Sequence, residues 1–133
     1  MIRVLVADDS AFMRKVLSDM FAAEPDFQVV DTARNGLMAV EKVKQYRPDV
    51  VVLDVQMPVM DGLTALELIM RECPTPVIMF SSLTYEGAQA TLQALAAGAV
   101  DFVAKADGPI SNIDSVRQEL ITKCRLAVHA RVT

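Results

Sequence analysis

The stretch VVVLDVQMPVMDG, residues 50–62, decides how the chain is read. Val50 to Leu53 is apolar at every position, the mark of a strand buried on both faces rather than of a half-exposed one. Asp54 follows without a break, and a carboxylate taken out of water is costly unless something offsets its charge. Pro58 and Asp61-Gly62 then signal a loop and a turn into a helix. A core strand that ends in an acid needs partners for that acid.

Working outward, Ile2–Ala7, Phe27–Ala33, Val77–Phe80 and Val100–Ala104 are also short, apolar and rich in β-branched residues, as strands are. Between them lie stretches with helical periodicity. Ala11–Ala23 places Phe12, Val16, Leu17, Met20 and Phe21 on one face, and Leu37–Tyr46 does so with Leu37, Val40 and Val43. Leu63–Arg71 turns Leu63, Leu66, Ile69 and Met70 inward. A helix rich in small residues spans about Tyr85–Ala97, with Gly98 as its C′ residue. Ile113 to about Ala130 carries Ile113, Val116, Leu120, Cys124 and Ala127 on one face. Five apolar strands alternating with five amphipathic helices predict an α/β fold: a doubly wound, five-stranded parallel sheet between two helical layers.

The 133 residues suit one domain, expected to span 1–133, and 53% hydrophobic residues argue against disorder. A net charge of −4 argues against nucleic acid and against anionic membrane surfaces as partners. Cys73 and Cys124 form no metal-ligand or disulfide pattern and read as buried thiols. No stretch reaches transmembrane length, and the cytoplasm is the expected location.

Ligands in open α/β sheets sit beyond the carboxyl ends of the strands. The first strand ends in Asp8-Asp9, the third in Asp54, the fourth in Ser81-Ser82 and the fifth in Lys105. If the first and third strands are neighbours, about 4.8 Å apart, three carboxylates crowd one place, and a cation among them relieves the repulsion. Hard oxygen ligands favour Mg²⁺, which suits phosphate chemistry. Asp54 is then a candidate nucleophile toward phosphorus, Ser81 a hydrogen-bond donor to a phosphoryl oxygen, and Lys105 a countercharge. Singly, each has a plainer reading: Asp-Asp-Ser as a helix cap, Asp54 as turn chemistry, Ser-Ser as a cap, Lys105 as a solvated charge. Their common placement at one end of one sheet strengthens the functional reading.

With these residues on their elements, VLVADDS, VVVLDVQMPVMDG, VIMFSS and AGAVDFVAK resemble the receiver domain of two-component response regulators, over Arg3 to Lys105. The resemblance implies the flavodoxin-like strand order 2-1-3-4-5. It implies phosphoryl transfer from a histidine kinase to Asp54. Mg²⁺ would be held by Asp9, Asp54 and the Gln56 backbone carbonyl, with Asp8 acting through a metal-bound water. It also implies a switch in which Ser81 moves toward the phosphoryl group and Phe102 changes rotamer. DDSAFMR, DVQMPVMDGL, SSLT and DFVAK look in particular like receivers of chemotaxis protein-glutamate methylesterases, where a receiver controls a C-terminal methylesterase domain. No G-x-S-x-G motif accompanies them here, and His129 is the single histidine. Receivers of this kind mostly carry proline after the lysine; here Ala106 follows Lys105, so a trans bond or a strained loop is expected there.

Other readings account for part of this pattern. A haloacid-dehalogenase-like phosphohydrolase would want a second acid where Gln56 stands. A flavin binder would want a phosphate loop where Asp8-Asp9 stand. A stand-alone receiver that acts by partner docking shares the same acid set.

Overall fold

A computed structural model of the chain describes residues 1–82, 85–105 and 113–130. Its elements run β1 Ile2–Ala7, α1 Ala11–Ala22, β2 Phe27–Ala33, α2 Gly36–Tyr46, β3 Val50–Asp54, α3 Gly62–Glu72, β4 Val77–Ser81, α4 Tyr85–Ala96, β5 Asp101–Ala104 and α5 Ile113–Ala130. The five strands form one sheet in the order β2-β1-β3-β4-β5, and every pairing is parallel. The predicted class and strand order both hold.

The central strand β3 is buried at every position, so its lack of polar–apolar alternation is explained by cover on both faces. Strand pleating sorts the core into two layers. Val4, Val6, Val50, Val52, Ile78, Phe80 and Val103 pack with α1 and α5. Leu5, Ala7, Val51, Leu53, Val77 and Met79 pack with α2, α3 and α4.

Helix ends follow local chemistry. Ser10, Asn35 and Asp61 cap α1, α2 and α3, each side chain accepting from a backbone N–H three residues on. Gly98, at φ +118°, ends α4 as predicted, with the Gly98 and Ala99 N–H groups donating back to the Leu95 and Ala94 carbonyls. At Gly62 the need is space. A Cβ there would stand 2.0 Å from the Asp54 carbonyl oxygen, so only glycine lets α3 begin against the end of β3.

Three burial expectations fail. Phe12 is 71% exposed and Leu37 is also exposed. Both lie in the first turns of helices that start at the carboxyl edge of the sheet, before the helix has strands to pack on. Cys73 is only partly buried, whereas Cys124 is buried as expected. The peptide bond after Lys105 and the Ile113 side chain lie outside what is described. Among the described residues, no helix is long and apolar enough to cross a membrane.

Candidate functional site

Strand register builds the site. Ala7 of β1 pairs with Leu53 of β3, so the next residues, Asp8 and Asp54, come side by side at the sheet's carboxyl edge. Asp9 joins them: one carboxylate oxygen from each of the three lies within 4.8 Å of the others. Asp8 is fully buried and Asp54 nearly so, while Asp9 is exposed at the mouth. The Asp8-Asp9-Ser10 run thus divides its labour. Ser10 caps α1, and its N–H donates to Asp8 Oδ1 at 2.9 Å, fixing the acid instead of competing with it.

Lys105 enters from the end of β5. Its Nζ stands 3.1 Å from Asp8 Oδ2 and 3.1 Å from Asp54 Oδ2, with its ammonium over the buried Phe80 ring. Its backbone N–H donates to the Ser81 carbonyl, which anchors the residue just past the strand. Asp8 Oδ2 is buried, and among the described residues the Lys105 ion pair is what it has in place of a well-formed hydrogen bond. The Gln56 N–H donates to Asp54 Oδ1 at a long 3.4 Å.

Burial pushes the Asp54 carboxyl up from its ordinary 3.8 to about 6, and the Asp8 charge adds to the rise. Lys105 and the Gln56 N–H oppose it without cancelling it. Burial pulls the Lys105 ammonium down, but Asp54 and Asp8 outweigh it and leave its pKa above the usual lysine value. Asp54 and Asp8 therefore hold Lys105 in its charged form, while the single lysine does not offset the cost of ionising Asp54.

A cavity of about 130 Å³ opens over these groups, lined by Asp9, Asp54, Gln56, Ser82, Gly87 and Lys105, with Val55 beside them. The loop that follows Gln56 holds a strained turn: Val59, a β-branched residue, has φ +69°, closed by the Met60 N–H donating to the Pro58 carbonyl. Among the described residues the donor set fits a hard divalent cation. All the ligands are oxygens, and one buried carboxylate oxygen is short of a hydrogen bond.

Of the residues singled out in the sequence, Asp8, Asp9, Asp54 and Lys105 converge and Gln56 lines the cavity. Ser81 and Phe102 do not join them. By pleat parity Ser81 shares the face of Val77 and Met79, toward α4, and its hydroxyl meets Thr91 at 2.8 Å. Phe102 is 39% exposed under the Lys123 ammonium, and with Ser81 it borders a second cavity of about 280 Å³ between α4 and β5. Thr91 was not anticipated. Nothing local marks it, since its value depends on how α4 packs on β4.

The comparisons with known proteins agree with this geometry. The family model of the response regulator receiver domain matches residues 4–116. The chain belongs to the response regulator receiver domain family. A solved relative, the response regulator domain of Thermotoga maritima CheB, superposes on this receiver with a TM-score of 0.91 at 50% identity, over 99% of both chains. A protein-glutamate methylesterase/protein-glutamine glutaminase of Archaeoglobus fulgidus is 56% identical over 94% of the receiver. The receiver spans a little over a third of the length of such curated relatives, 36% in that case. A chain from a CheX–CheY–BeF3–Mg²⁺ complex of Borrelia burgdorferi is 36% identical, with a TM-score of 0.73 over 90% of this chain and 89% of that one. The receiver is thus of the CheB chemotaxis type, a regulatory module of two-component signalling. Neither the phosphohydrolase nor the docking-only alternative draws support from these matches.

Proposed function

We propose that this receiver takes a phosphoryl group onto Asp54 and that the acylated carboxylate is its signalling state. The observation that carries this reading is the convergence of Asp8, Asp9 and Asp54 within 4.8 Å, with Lys105 3.1 Å from two of them. One ionised oxygen of Asp54 attacks the phosphorus of a donor, and the bond from phosphorus to the donor breaks, its electron pair leaving with the donor. With a phosphohistidine of a chemotaxis-type histidine kinase as donor, that pair returns to the imidazole nitrogen.

Lys105 compensates the charge that develops on the phosphoryl oxygens. Asp9, Asp54 and the Gln56 backbone carbonyl would hold Mg²⁺, with Asp8 acting through a metal-bound water. The ion supplies countercharge to both carboxylate and phosphoryl group when bound. Ser81 then donates its hydroxyl to a phosphoryl oxygen, and Phe102 follows by changing rotamer. The switch reports on the face made by α4, β5 and α5, where the second cavity lies.

We take residues 1–133 as one receiver unit acting in the cytoplasm. The names of its relatives support control of a C-terminal methylesterase domain as the output.

The test is labelling with acetyl phosphate. The expected outcome is one phosphoryl group per chain in Mg²⁺, none in chelator, and none for Asp54→Asn. Failure of the wild type to label with Mg²⁺ and any small phosphodonor contradicts the reading. Lys105→Ala should bind Mg²⁺ and still label at least tenfold more slowly, the scale of losing one charged transition-state partner.

A further inference from the structure

We propose that Thr91 is a positioning residue: its hydroxyl holds Ser81 away from the phosphoryl site, and this latch sets how readily the receiver enters its phosphorylated arrangement. The inference rests on the reading of Ser81 as a donor to the phosphoryl group and adds the restraint that opposes it.

The proton count decides the direction of the contact. Thr91 donates its hydroxyl to the Gly87 carbonyl, one turn back in α4, at 2.8 Å. A carbonyl can only accept, so the single Thr91 proton is committed there. Ser81 Oγ lies 2.8 Å from Thr91 Oγ1, and the proton between them is therefore that of Ser81. The one hydrogen Ser81 could give to a phosphoryl oxygen is given to α4 instead.

The back-bond of a mid-helix threonine to the carbonyl four residues earlier is ordinary. The cross-element contact is what carries the inference. Ser81 and Thr91 are each 4% exposed, so water does not compete for the bond. Apart from Ser82, the rest of the adjoining cavity wall is carbon, from Ala88, Leu92, Leu95, Phe102 and Ala104. If Ser81 turns toward Asp54, the Thr91 oxygen loses its donor in surroundings poor in replacements, and that loss opposes the turn. The same pair ties strand β4 to helix α4, so a change at Ser81 is felt by the helix. Thr91 thus both restrains the switch and passes its movement to α4.

The test measures the apparent affinity of the 133-residue chain for beryllium fluoride, a phosphoryl mimic, in Mg²⁺ by calorimetry. Thr91→Val, close in shape and without the acceptor, should bind about two- to tenfold more tightly, the worth of one hydrogen bond between neutral groups. Thr91→Ser keeps the acceptor and should match the wild type. Ser81→Ala should bind more weakly, and adding Thr91→Val to it should give no tightening. Melting curves check that each variant is folded.

If Ser81→Ala binds like the wild type, Ser81 makes no phosphoryl contact, and the underlying reading fails along with the latch. If Ser81→Ala weakens binding but Thr91→Val does not tighten it, the latch alone is overturned. Equal tightening by Thr91→Val with and without Ser81 would assign the effect to helix packing and also overturn it.

Discussion

Burial and the neighbouring Asp8 charge raise the Asp54 carboxyl to about 6, so its ionised form is held at a cost to the fold. Because the folded pKa lies above the ordinary 3.8, the fold binds this proton more tightly than the unfolded chain does. The stability this brings is fully present below about pH 3.8 and is lost as pH rises through about 6. Asp54→Asn should therefore be more stable than the wild type at pH 8 in chelator, by ~3 kcal/mol, the size of a shift of about two units. The gap should close as pH falls toward 4. Urea denaturation at a series of pH values checks it; a variant less stable than the wild type at pH 8 would contradict it. The same strain explains why an acid that looks misplaced after VVVL is suited to chemistry: it is ionised at neutral pH, poorly solvated, and set beside one lysine. The sequence told which side chains were present but not how burial and Asp8 together outweigh Lys105, a balance that depends on distances.

Gly62 shows how much a helix start can matter to a site it does not line. A Cβ on it would meet the Asp54 carbonyl oxygen at 2.0 Å, and its N–H donates to the Val55 carbonyl at 2.8 Å. An added methyl has backbone in its way, which cannot rotate aside as a side chain could. Gly62→Ala should cost about 1–3 kcal/mol by overpacking and should also slow phosphoryl labelling, because α3 and the end of β3 must move apart. Denaturant titration and the labelling rate test the two effects together; unchanged stability would show that α3 shifts freely. In the sequence Asp61-Gly62 was legible as a turn into a helix, but a turn reading assigns glycine to backbone conformation, and here the constraint is crowding. Helix faces were legible where strands lie beneath them, as for Leu17, Phe21, Leu66 and Ile69, which are all buried. They were misread at Phe12 and Leu37, where periodicity continues past the edge of the sheet.

Across the molecule, parallel register and pleat parity do most of the arranging. Strand number was legible because strands covered on both faces cannot hide their apolar runs, and strand order came with the receiver resemblance. Convergence of Asp8, Asp9, Asp54 and Lys105 followed from the strand order and from ligands gathering at strand ends. What escaped was parity at the tips. Asp8, Asp54 and Lys105 continue the face covered by α1 and α5, whereas Ser81 and Phe102 belong to the face covered by α4. Counting in twos from the core valines would have separated them. The outcome is a receiver with its charge chemistry on one side of the sheet edge and its hydroxyl and aromatic pair on the other, joined through β4 and β5.

The claim beneath all of this is that Asp54 itself becomes the acyl phosphate. The most direct measurement is borohydride reduction of the chain after treatment with acetyl phosphate and Mg²⁺, followed by peptide mass mapping. An aspartyl phosphate is reduced to homoserine, and the account predicts that product at position 54 alone. Phosphate surviving as an ester on Ser81 or Ser82, or homoserine at position 8 or 9 with Asp54 intact, would contradict it.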